Sequence, residues 1–176
     1  MNFDMKEEIL DIVNEKDEII GRASYEKIHS KKLLHRVVSA FLINDAGDVL
    51  LQLRSKDKSA YPSHWSFSMG GHVRHGETYA KALLREAKEE VGVALGQERI
   101  IYKGKSIFIE HSGAKVIHEL HEIFYDGPIE ETTEEVAAVQ FISWQDLRLL
   151  IDENKEKLHP QMVQALRLYW KKELGL

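Results

Sequence analysis

Three glutamates, Glu86, Glu89 and Glu90, stand three and four residues apart in the stretch GHVRHGETYAKALLREAKEEVGV, which runs from Gly71 to Val93. On a helix that spacing gathers them within an arc of roughly 100°. Carboxylates so placed repel one another by about 0.2–0.5 kcal/mol per pair, and a divalent cation removes the repulsion. Oxygen-only donors suit Mg²⁺ or Mn²⁺, and Mg²⁺ usually completes its shell with water and substrate phosphate. The competing reading is a solvated helix face on which Lys81 and Lys88 screen the charge.

The elements that must hold these side chains can be read from the chain. The glycine pair Gly70-Gly71 and a polar loop lead into the helix, and Gly92 is placed to cap its end. Ala80, Leu83, Leu84, Ala87 and Val91 predict one apolar stripe, with the carboxylates on its flank. Upstream, residues 1 to 10 read as a poorly held lead-in. A β-hairpin then turns at Asn14–Asp17, and Ser24 caps a short helix through Lys32. Arg36 to Ile43 is a nearly continuous apolar strand, hence buried, with Val49 to Arg54 as its hairpin partner and Trp65 to Met69 as a short strand that delivers Gly70 and Gly71. After the helix come strands over 100–110 and 115–125, an acidic loop over 129–135, and a strand over 138–142. Ser143 caps a further helix, and Pro160 opens a last one to about residue 173. Strands and helices in this order predict an α/β fold with a mixed sheet covered on both faces.

The 176 residues suit a single domain, and 43% hydrophobic composition can build one core. A net charge of −5 without a long basic run argues against a nucleic-acid polymer as partner. There is no cysteine, hence no disulfide, thiolate nucleophile or thiolate metal site. The acidic start MNFDMKEEIL lacks the form of a signal peptide, and no apolar run reaches the ~20 residues of a membrane span, so a cytoplasmic protein without membrane attachment is expected.

The polar and glycine positions of the organising stretch, Gly71, Glu77, Arg85, Glu86, Glu89, Glu90 and Gly92, fall at the spacing G-x5-E-x7-R-E-U-x-E-E-x-G-U, where U is a bulky aliphatic. This stretch resembles the Nudix box, with Ala87 as a smaller residue at one U position. The resemblance implies an α/β/α sandwich. It also implies a Mg²⁺- or Mn²⁺-dependent pyrophosphohydrolase that splits a phosphoanhydride of a nucleoside diphosphate derivative with water. It assigns Glu86, Glu89 and Glu90 as metal ligands, with Glu86 also a general-base candidate. Glu77 becomes a secondary ligand, the Gly71 carbonyl a backbone ligand, and Arg85 the group that orients the carboxylates. A further acidic ligand from outside the box is common in the family; Glu119 is favoured here, with Glu122, Glu134 and Glu135 behind it. Family members are often homodimers.

Beyond the box, NEKDEIIG, LLHRVVSAFLIN, LLQLRS and YPSHWSFSMGGHV are similar to the isopentenyl-diphosphate isomerase-like Nudix proteins. In the true isomerases histidines and glutamates hold a metal and a cysteine transfers a proton. His35 and His72 fall at two of those histidine positions and Glu119 at a glutamate position, while Gly70 stands where the cysteine would be. Isopentenyl-diphosphate isomerisation is therefore the rival reaction, and a nucleotide-sensing module without catalysis is a third reading. Arg54 and Arg74 are candidates for substrate phosphate, and His72 and Trp65 for the rest of the substrate-binding surface. His118 and His121, three apart on a predicted strand, point to opposite faces and form no metal pair.

Overall fold

Both layers of the molecule rest on the apolar run near residue 40. The computed structural model describes residues 8–96, 98–130 and 133–176; the expected lead-in over 1–7 and residues 131–132 of the acidic loop lie outside them. Strand β3 (His35–Ile43) sends Val37, Phe41 and Ile43 to one face of the sheet and Val38, Ala40 and Leu42 to the other. The strand is buried on both sides, as its unbroken apolar run requires. One face packs under α3 (Trp144–Glu153) and α4 (Pro160–Tyr169) through Leu147, Ile151, Met162 and Leu166. The other packs under α2 (Tyr79–Val91) through Ala82, Leu83, Ala87 and Val91. The result is an α/β/α sandwich with a mixed sheet.

The sheet runs β5 (Trp65–Ser66), β4 (Val49–Arg54), β3, β8 (Lys115–Phe124), β7 (Arg99–Ile109). In addition β6 (Met69–His72) pairs with β3, and β9 (Val136–Ile142) with β4. Among the described strands only β3 and β8 are parallel neighbours. Ahead of the sheet, β1 (Ile9–Val13) and β2 (Ile19–Ser24) form a separate hairpin, followed by α1 (Tyr25–Lys31), whose N-cap Ser24 accepts from Lys27 N. Asp17, at the hairpin turn, ties this unit to the domain: it accepts from Arg36 Nε at 2.6 Å, Lys105 Nζ at 2.8 Å and Tyr79 OH at 3.2 Å. Among the described residues no helix is long and apolar enough to cross a membrane.

Several expectations are corrected. Ile9 and Leu10 open β1 instead of belonging to a lead-in. β4 meets β3 only at Ile43↔Val49, because β6 takes the flank of β3 that a full hairpin would need. The expected strand over 65–69 is two strands. At the break Ser68 Oγ accepts from Leu42 N at 2.7 Å and donates to Leu50 O at 2.6 Å, a side-chain bridge in place of a ladder rung. α4 stops at Tyr169. In α2 the inner face comprises Ala82, Leu83, Glu86, Ala87, Glu90 and Val91, while Ala80 and Leu84 face water. Two of the three glutamates thus lie on the buried side, not on its flank.

Candidate functional site

The carboxylates are delivered by the β6–α2 junction. Thr78 caps α2 by accepting from Lys81 N at 3.2 Å, and Gly92 ends it in the left-handed conformation at φ 69°. Glu90 is 2% exposed; its Oε2 accepts from Gly70 N at 2.8 Å and Gln52 Nε2 at 2.9 Å. Glu86 is 7% exposed and lies so close to Gly71 that an added Cβ there would stand 2.5 Å from its Cδ. Glu89, by contrast, leaves its side chain 46% exposed. Burial pushes the Glu86 carboxyl up, and Arg85 does not fully offset it; burial and then the Glu86 charge push Glu90 up to about 8. Two buried carboxylates so disfavoured as anions, with oxygen the only donor, fit a hard divalent cation.

Arg85 sits at the centre of this group. Its Nε and Nη2 bond Glu77 Oε1 and Oε2 at 2.8 and 2.9 Å, Nη1 bonds Glu86 at 2.5 Å and Glu89 at 3.2 Å, and Nη2 also bonds His72 O at 2.9 Å. Burial raises the Glu77 carboxyl, but the Arg85 contact outweighs it and holds the group below the usual range. Nearby, Arg54 ends β4, Lys58 follows in the loop after it, and Glu135 directly precedes β9. Lys58 pairs with Glu135, whose charge adds to the upward push on Glu86.

A second group forms where α1, β3, β6 and the end of β7 converge. One ligand-type atom from each of His29, His35, His72 and Glu110 falls within 4.8 Å of the others. Glu110 lies 2.9 Å from His29 Nε2, 3.4 Å from His35 Nε2 and 3.5 Å from His72 Nε2. Despite its burial, these imidazoles hold its carboxyl far below the ordinary value.

The profile of the NUDIX domain matches residues 33–166 of the chain. The chain belongs to the Nudix family. Its sequence is 28% identical over 163 residues to an uncharacterized Nudix hydrolase of Pseudomonas aeruginosa, covering 92% of this chain and 93% of that one. It is 32% identical over 157 residues to isopentenyl-diphosphate Delta-isomerase 1 of Photorhabdus laumondii, covering 85% and 87%. The fold is similar to that of DR0079 from Deinococcus radiodurans, with a TM-score of 0.79, 25% identity and coverage of 93% and 99%. The chain is accordingly an enzyme of the Nudix hydrolase class.

Within the Nudix frame, the structure brings Gly71, Glu77, Arg85, Glu86, Glu89 and Glu90 together. Other expected residues are placed differently. Glu119 does not join either group: it bonds Lys105 at 2.9 Å and approaches His121, on the α2 side of the sheet. Glu122 is taken by Lys103 and Trp170. Trp65, expected to line the substrate site, packs partly buried against the core beneath α3 and α4. Arg54 spends Nε and Nη2 on Ala60 O, at 3.1 and 3.0 Å. Arg74 is 44% exposed and stands between Glu8 and Glu89. His118 and His121 do face opposite ways: His118 is held by Ser39 Oγ at 2.9 Å between Phe67 and Phe108, while His121 stands beside Tyr102. His29, Glu110 and Gln52 carried no sequence signal, since their partners come from elements far apart in the chain.

Proposed function

We propose that this Nudix hydrolase cleaves a phosphoanhydride of a small phosphorylated substrate, a nucleoside diphosphate derivative, by attack of water. The observation that supports the reading best is the burial of Glu86 and Glu90 on the inner face of α2, where each remains an oxygen donor beside Glu89. Mg²⁺ or Mn²⁺ bound by Glu86, Glu89 and Glu90, with the Gly71 carbonyl and Glu77 in support, would neutralise phosphate charge and position the water. Arg85 fixes the carboxylates in one geometry, so that little rearrangement accompanies binding. A box carboxylate near the attacking water accepts its proton, Glu86 being the candidate. Arg74, exposed and paired with Glu8 and with Glu89 of the ligand set, is placed to exchange these weak pairings for substrate phosphate.

Isomerisation is the rival reading, and the strand pairing speaks against it. Ser39 Oγ, bonded to His118, fills the space over Gly70, and Val38 O lies 2.8 Å from where a Cβ would stand. No acid–base side chain can project from that position without moving β3. A sensor without catalysis would gain nothing from keeping two buried carboxylates of raised pKa.

The test is release of phosphate and pyrophosphate from a nucleotide panel with Mg²⁺ or Mn²⁺ and with EDTA, on wild type and Glu89→Gln. Metal-dependent turnover that falls by roughly 10²-fold in the variant is the expected result. Absence of turnover on every nucleotide, with cation bound, would overturn the reading.

A further inference from the structure

The β1–β2 hairpin precedes residue 33, where the match to the family begins, yet β1 lies along the loop that joins β6 to α2. Leu10 and Arg74 form an antiparallel bridge, and His75 N donates to Ile9 O at 2.8 Å. Leu10 packs with Ala23 and Ile28, so Asp11, its neighbour on the strand, points to the other face. Asp11 is 1% exposed, and its Oδ1 lies 2.6 Å from His75 Nδ1. Arg22, opposite Asp11 on β2, brings Nη1 to 3.0 Å from His75 Nε2. A guanidinium can only donate, so Nε2 accepts and Nδ1 carries the proton that it donates to Asp11. Asp11 Oδ2 is buried without a hydrogen-bond partner among the described residues.

A buried carboxylate with one partner is a costly way to hold two segments together, and an apolar pair would serve adhesion better. The hairpin has other anchors: Asp17, at its turn, ties it to Arg36 on β3, Lys105 on β7 and Tyr79 on α2. What Asp11 holds is the loop. Glu77 stands two residues beyond His75, and the fork of Arg85 closes on it.

We propose that Asp11 is a positioning residue of the box. Through His75 it fixes the loop, and with it Glu77 and Arg85, so that Glu86, Glu89 and Glu90 meet the cation in one arrangement. This role rests on the reading of those carboxylates as the cation site. Once the tie is cut, the loop spends part of its time out of place, and apparent cation affinity falls with the fraction of molecules that remain competent.

The test reads Mn²⁺ affinity of the full chain from the free-ion electron spin resonance signal. Wild type is compared with Glu89→Gln, Asp11→Ala, His75→Ala, the Asp11→Ala/His75→Ala double variant and Asp11→Asn. The His75 side chain is 45% exposed, so His75→Ala cuts the same hydrogen bond without opening the core and serves even where Asp11→Ala folds poorly. Expected is a fall of roughly tenfold in each single alanine variant, with the double variant no weaker than either, because both remove one tie. Asp11→Asn keeps an acceptor for the Nδ1 proton and should recover most of the affinity. Lower urea stability in Asp11→Ala and His75→Ala with unchanged Mn²⁺ affinity would overturn the role. Losses that multiply in the double variant, or no recovery in Asp11→Asn, would do the same. Mn²⁺ binding indifferent to Glu89→Gln would instead overturn the cation site of the box, and the role of Asp11 with it.

Discussion

Arg85 and Glu77 meet edge to edge, Nε to Oε1 at 2.8 Å and Nη2 to Oε2 at 2.9 Å, across the seven residues that separate the box loop from the middle of α2. The pair fixes the loop to the helix, and the remaining Arg85 donors then reach Glu86, Glu89 and His72 O. A lysine has neither the fork nor the reach for these contacts. Arg85→Lys is expected to lower stability by about 3 kcal/mol, since it leaves partly buried carboxylates unpaired. Urea denaturation checks this, and a loss below about 1 kcal/mol would count against the central role of Arg85.

Gly71 is a glycine for the sake of Glu86. A methyl group there would press on the carboxylate and turn it away from its neighbours. Gly71→Ala should remain folded yet bind Mn²⁺ roughly tenfold more weakly, as read by the free-ion electron spin resonance signal. Unchanged affinity would show that Glu86 does not need this approach.

Trp170 closes the opposite layer. It is fully buried, and its Nε1 donates to Glu122 Oε1 at 2.5 Å, while Lys103 bonds the same oxygen at 3.1 Å. Trp170→Phe keeps most of the apolar volume but strands part of a buried carboxylate. The expected cost is about 1–3 kcal/mol, measurable as a fall in the denaturant midpoint with unchanged slope.

Acid should weaken the fold through His118. Burial pushes its imidazole down to about 3 from 6.5, so between those values the unfolded chain takes up a proton that the folded chain refuses. Stability is therefore complete above about pH 6.5 and is lost as pH falls. From pH 7.5 to 5.5 this one group removes about 1.4 kcal/mol. Chemical denaturation at the two pH values, in wild type and His118→Gln, should show a loss smaller by about that amount in the variant.

The box was legible because its residues act within one loop and one helix, where spacing alone fixes neighbours. The strand at 36–43 and the caps Ser24, Ser143 and Gly92 were legible for the same local reason. The inward turn of Glu86 and Glu90 was not, since propensity rules expose a glutamate and only the pairing of Glu90 with Gly70 N and Gln52 shows why one is buried. Glu110 was invisible because its histidines arrive from α1, β3 and β6. For Glu119, position along a strand fixes the face a side chain takes, not the partner it finds there, and that partner is Lys105.

The closeness of β3 and β6 at Ser39 and Gly70 also bears on what this chain can become. A thiol at position 70 cannot be tried by a single replacement, because Ser39 must shrink and Val38 O must recede first. The water-based cleavage proposed for this chain and a thiol-based proton transfer are thus separated, for this scaffold, by changes on two strands. A route from one chemistry to the other has to move β3 against β6.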